Sequence, residues 1–98
     1  MARYDVYRAP DDALLLDVQS PLLDIVGSRV VIPLLPAAAA PRSIARLHPV
    51  FDVEGEPQVL ATHLISAVPD TLVAARVANL AQHHDEIVAA LDMLFQGF

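Results

Sequence analysis

The residues best suited to moving a proton or holding a metal are His48, His63 and the adjacent pair His83 and His84. Their spacing does not favour a metal. Neighbours on a helix point about 100° apart, so His83 and His84 cannot share one face. His48 and His63 are expected on separate strands, and no HExxH or comparable ligand pattern occurs. These histidines are expected at the surface or rim, with no metal and no cofactor. Ser20, Ser28, Ser43 and Ser66 are possible nucleophiles, but none sits in a G-x-S-x-G elbow. Asp11 and Asp12 read as turn residues, because adjacent strand residues face opposite ways. The chain contains 3 glycines, too few for a phosphate-cradling loop, and has neither a P-loop nor GxGxxG. No catalytic residue emerges, and the chain is expected not to be an enzyme.

Charge narrows the partners. The net charge is -6, and all 6 basic residues are arginines: Arg3, Arg8, Arg29, Arg42, Arg46 and Arg76. They form no cluster, and nucleic-acid binding relies on clustered positive charge to displace counterions. Direct binding to DNA or RNA is therefore disfavoured. There is no cysteine, so disulfides and thiolate zinc sites are excluded, which suits a reducing cytosol. "MARYDVYRAPDD" contains no apolar stretch of the secretory type, so no leader is expected, and a cytoplasmic location is. "VVIPLLPAAAAP" is the longest apolar run. Pro33, Pro36 and Pro41 interrupt it, and it is too short to span a bilayer.

These residues must be positioned by a small fold. The chain has 98 residues, 55% of them apolar and 18% charged, which predicts one domain over 1–98 with apolar surface left over for an oligomer interface. Arg3–Tyr7 and Ala13–Gln19 read as strands around the turn "APDD", which predicts a hairpin. Arg29–Leu35 reads as an apolar strand that should be an edge, or bulged, at Pro33. Arg46–Glu54 and Pro57–Ile65 flank "EGE", a second hairpin signal. Short strands at this spacing predict a small barrel or curled sheet. Ile87, Ala90, Leu91, Leu94 and Phe95 then follow helical spacing, with Gly97 as the stop, so Phe95 is expected in the core. "DTLVAARVANLAQ" is ambiguous: Asp70 could cap a helix, yet no clean stripe follows.

"LDVQS" (Leu16 to Ser20), "VIPL" (Val31 to Leu34), "LHPV" (Leu47 to Val50), "SAVP" (Ser66 to Pro69) and the ending "DMLFQGF" occur in an order and spacing that resemble the CcdB toxins. The resemblance runs from about Tyr4 to Phe98. It implies a mainly β fold with a C-terminal α-helix: an SH3-like small β-barrel shared with toxins similar to MazF and Kid. The ambiguous segment would then be mostly extended, with one helix beginning near Gln82. The resemblance also implies a homodimer with its C-terminal helices near the dyad. Such a dimer would bind the A subunit of DNA gyrase, trap the cleaved-DNA complex, and be neutralised by a cognate CcdA-like antitoxin.

Carried over residue by residue, the implied gyrase-binding set is Leu22, Leu23 and Asp24 on a loop, and His84, Asp85, Val88, Ala89, Asp92, Gln96, Gly97 and Phe98 on and after the helix. The family's Trp-Gly-Ile tail is matched here by Gln96, Gly97 and Phe98. The glycine and a final apolar residue are kept. Gln96 replaces the stacking aromatic, and the helix positions differ in charge from the best-known pattern. Two alternatives stand beside gyrase poisoning: a degenerate homologue that no longer poisons gyrase, and a MazF-like endoribonuclease toxin. The latter would have only Arg29, Arg76 and His48 as raw material.

Overall fold

The computed structural model describes residues 2–39, 44–72 and 75–97. Alternation in the sequence becomes rows across a sheet. The strands β1 (Asp5–Arg8), β2 (Leu14–Asp17) and β3 (Ser28–Pro36) are antiparallel neighbours, with Val6 opposite Leu16 and Leu16 opposite Ile32. All three side chains are fully buried. Because strand side chains alternate faces, fixing one such row fixes the next: Leu14, Leu34 and Leu60 line up in the same way.

The remaining strands are β4 (Val50–Val53), β5 (Glu56–Leu60), β6 (Ser66–Pro69) and β7 (Ala75–Asn79). Among the described residues they complete a curled sheet in the order β4-β5-β3-β2-β1-β7, with β6 also paired to β3. The fold is the expected one, mainly β with one C-terminal helix, α1 (His84–Gln96). Within the segment that was ambiguous in the sequence, Ala75–Asn79 is extended and pairs with β1, with a register shift between Val6 and Tyr7.

Two expectations change. Pro33 lies within a central strand rather than at an edge. Towards one neighbour β3 pairs with β6 through Ser28–Val31 and with β5 through Leu34–Pro36. Pro33 falls between those two partners, so its missing N–H interrupts no ladder bond, and its carbonyl accepts the Ala61 N–H at 2.9 Å. The strand expected over Arg46–Glu54 is shorter. The chain turns first, with the His48 N–H donating to the Ile44 carbonyl at 2.8 Å, and pairs only from Val50.

The β4–β5 hairpin turns at Glu54 (φ 53°) and Gly55 (φ 83°). Positive φ at both central residues suits the right-handed strand twist, and Gly55 adopts it without a Cβ penalty. The core is the face shared by Val6, Leu16, Ile32, Phe51 and Leu60, closed by Ile87 and Ala90 of α1.

Candidate target-binding surface

The loop after β2 is apolar yet rigidly held. Ser20 caps a 3-10 turn over Pro21–Val26, its Oγ accepting the Leu22 N–H at 3.3 Å. Gly27 ends the turn in the left-handed region (φ 80°), and its carbonyl accepts the Asp70 N–H at 3.1 Å. Gln19 braces the loop from beneath: its Nε2 donates to the Leu23 carbonyl at 2.9 Å and its Oε1 accepts the Val30 N–H at 3.0 Å. The result presents Leu22, 89% exposed, and Leu23, 50% exposed. A pinned loop loses little entropy on binding, which is how an anchor keeps its energy. The side chain of Asp24 lies outside the described residues.

The helix is joined to the sheet at its first turn. The Tyr4 hydroxyl lies 2.6 Å from Nδ1 of His84, and the two rings meet edge-on. His83 stacks on the buried Phe51 ring, with centroids 4.7 Å apart. Burial raises the Tyr4 pKa, with the Asp85 charge acting in the same direction and Arg3 opposing it. Asp85 and Glu86 occupy the first turn, where the helix dipole favours negative charge.

Of the helical candidates, His84, Asp85 and Gln96 are exposed, as is Gly97 beyond the helix end, and Val88, Ala89 and Asp92 are half-buried. Phe98 lies outside the described residues. Phe95 differs from expectation: it is 71% exposed, although its spacing places it on the apolar stripe. The helix packs near its start on the 3-10 turns Ala81–His83 and Thr62–Leu64, burying Ile87 and Ala90 and half-burying Leu91 and Leu94. In the last turn Met93 and Leu94 stay half-buried, while Phe95 faces solvent. The helix stop is regular: Gly97 adopts φ 80° and donates its N–H to the Met93 carbonyl at 3.0 Å. Among the described residues no hydrogen bond, ion pair or ring contact joins this helix to the loop of Leu22 and Leu23.

The histidines do more than line a rim. His48 is buried and meets His63 across the 3-10 turn Thr62–Leu64, with Nε2 2.8 Å from Nδ1. Nδ1 of His48 accepts the Ile44 N–H at 2.9 Å, so Nε2 carries the proton and donates it to His63. Burial, then the neighbouring His63, lowers the His48 pKa and keeps that tautomer neutral. Among the described residues no group of three or more His, Cys, Asp or Glu is placed to hold a metal.

The set Arg29, Arg76 and His48 is not assembled. Arg29 is buried against Asp17 on β2. Arg76, on β7, donates to Asp5 at 2.9 Å. His48 precedes β4, beyond the far side of the sheet order. Sequence reasoning also missed Asp5, a buried hub that accepts from Tyr7, Arg76, Asn79 and Ala2. Desolvation alone would raise its pKa; the hydrogen bonds from Arg76, Asn79, Ala2 and Tyr7 together outweigh that and hold it at about 2. Burial, with the bond to Asp5, pushes the Tyr7 hydroxyl up to about 12.

The family model described as CcdB protein matches residues 3–97. The chain belongs to the CcdB family. It is thus a CcdB-like toxin of the toxin–antitoxin class. Solved structures share the fold. An endoribonuclease from a mycobacterial species has a TM-score of 0.80 at 14% identity, covering 96% of this chain and 89% of that one. The Mycobacterium tuberculosis toxin MazF-mt6 has a TM-score of 0.77 at 14% identity, covering 93% and 95%. A mycobacterial endoribonuclease in complex with its cognate antitoxin has a TM-score of 0.81 at 14% identity, covering 96% and 93%.

These structures correct the expectation that this CcdB-like protein is not an enzyme. Its architecture, over nearly the whole chain, is that of proteins titled endoribonucleases. The absence of a sequence motif excluded only active sites built from contiguous signatures, and a site assembled from separate strands leaves none. Among the described residues no helix is long and apolar enough to cross a membrane.

Proposed function

We propose that this CcdB-like toxin binds the A subunit of DNA gyrase and stabilises the complex in which gyrase holds cleaved DNA. The contact surface is Leu22, Leu23 and Asp24 of the loop, with His84, Asp85, Val88, Ala89, Asp92, Gln96, Gly97 and Phe98 of the helix and its end. The observation that carries the reading is apolar exposure in two places: Leu22 at 89% on a loop braced by hydrogen bonds, and Phe95 at 71% on the last helical turn. Exposed apolar surface of this kind marks an interaction site, and aromatic anchors buried on binding carry much of the energy. Phe95, one residue before Gln96, supplies an aromatic near the position where the family's tryptophan is missing.

The protein acts as a cytoplasmic homodimer, presenting two copies of this surface to a two-fold target; light scattering at micromolar concentration reads its mass. A cognate antitoxin neutralises it, a reading supported by family membership and by the antitoxin complex of a protein with the same fold. A second reading, RNA cleavage, draws support from the endoribonuclease neighbours. One experiment separates the two. Purified toxin is incubated with gyrase and supercoiled plasmid, and in parallel with total RNA. Linearised plasmid recovered after detergent and protease supports gyrase poisoning. RNA fragments formed without gyrase support cleavage, and intact plasmid defeats the first reading.

Gln96→Trp is expected to tighten binding to a gyrase A-subunit fragment about tenfold, because stacking of a cation on an outward aromatic contributes about 1–2 kcal/mol. Gln96 is exposed on the last turn, so the change should leave the melting temperature nearly unaltered. Titration calorimetry measures both proteins. Weaker binding by the variant would show that Gln96 already makes a specific polar contact.

A further inference from the structure

The β1–β2 turn, the outer half of β3 and the β4–β5 hairpin enclose a groove of about 480 Å³, and none of its lining residues belongs to the loop or helix discussed above. Its walls include Leu34 and Val53, both buried core residues. Its charged lining is unbalanced. Asp12, Glu54 and Glu56 face one cation, Arg8. Arg8 is already engaged, with NH2 2.8 Å from Glu54 and NH1 3.3 Å from Asp12. Glu56 makes no ion pair among the described residues.

A second feature points the same way. Gln58 lines the groove and is 5% exposed, yet its buried Oε1 has no hydrogen-bond partner. A buried acceptor without a donor is unfavourable, and a ligand that supplies the donor recovers that loss. Glu54 adds a third. It occupies a left-handed position, φ 53°, where Asn, Asp or Gly would sit more easily. The buried unmet atom at this groove, Gln58 Oε1, is an acceptor, and three carboxylates against one guanidinium make the field negative.

The geometry points to a binding site for an arginine side chain presented by a partner protein. A guanidinium carries a planar fork of donors that can serve Gln58 Oε1 and a carboxylate together, while its aliphatic stem lies on the apolar wall. A nucleic-acid backbone would meet repulsion from three carboxylates. The site goes beyond the gyrase reading and does not depend on it.

The test titrates the full chain with the tripeptide Ac-Gly-Arg-Gly-NH2 and follows amide shifts by NMR. Shifts are expected at the Gln58 side-chain amide and at Glu54 and Glu56, with Kd on the order of millimolar, as suits a single side chain. The citrulline peptide, equal in shape but uncharged, should bind at least about tenfold more weakly. Gln58→Leu removes the unmet acceptor, so it should melt no lower than wild type and bind about tenfold more weakly. Glu56→Gln, at an exposed position, gives the same reading should Gln58→Leu fold poorly. Equal binding of arginine and citrulline peptides, shifts confined to other surfaces, or no shift at tens of millimolar peptide would overturn the proposal. So would binding of a short RNA in this groove in place of the peptide.

Discussion

Arg29→Met should lower the unfolding free energy by about 3–5 kcal/mol, because it removes the guanidinium paired with a buried carboxylate. Arg29 is 2% exposed and Asp17 is 0% exposed. The guanidinium Nε donates to one carboxylate oxygen at 2.8 Å, and NH2 lies 2.6 Å from the same oxygen as an ion pair. The other oxygen accepts the Gln19 N–H at 3.0 Å. Gln19 braces the loop of Leu22 and Leu23, so the loss should spread to the proposed contact surface. The double variant Asp17→Leu/Arg29→Met removes both charges and should recover most of the loss. Urea unfolding at neutral pH of wild type, single and double variants measures this. A single-variant loss below about 1 kcal/mol would show that the pair is hydrated and unimportant.

Asp5→Ala should cost about 2–3 kcal/mol, chiefly because the buried Tyr7 hydroxyl and the Asn79 amide lose their acceptor. The Arg76 side chain is 59% exposed and can turn to water, so its share is small. Asn79 also accepts the Ala81 N–H at 2.8 Å, just before α1, so the same hub sets where the helix begins. The Asp5 carboxyl carries a pH signature. Its pKa falls from 3.8 to about 2 on folding. The unfolded chain therefore binds the proton first, and stability is full above about pH 5 and declines as pH falls through about 4 to 2. The shift is worth about 2 kcal/mol. Asp5→Asn should remove this part of the acid sensitivity, which denaturant unfolding at pH 3 and pH 6 would show as a smaller difference than in wild type.

Much of the fold was legible because local patterns carry it. Alternation in Leu14, Leu16 and Val18 chose the buried face, and Gly55 between two acidic residues marked the hairpin. The loop of Leu22 and Leu23 was legible as a candidate only through the CcdB resemblance; the structure adds that both side chains are exposed. The helix was legible from its period, with Ile87 and Ala90 inward. Period alone misplaced Phe95, since it reports which side of a helix faces the sheet, not how far along the helix the sheet extends.

What only the tertiary structure decided is pairing across distance. Asp17 and Arg29, Asp5 and Arg76, and His48 and His63 each look like isolated polar residues in the chain. Charges on strands meet only when register and sheet curl bring them together, and neither is encoded within one segment. Pro33 illustrates the same point. Its ring forbids a donor on one side of β3, and whether that matters depends on which strands lie there. In sum of physical causes, the sequence by itself determined the strands, the turns, the helix face and the family. The curl of the sheet and the packing of the helix against it decided which polar groups became buried partners and which apolar ones were left facing water, because burial is a property of the space between elements and not of any element alone.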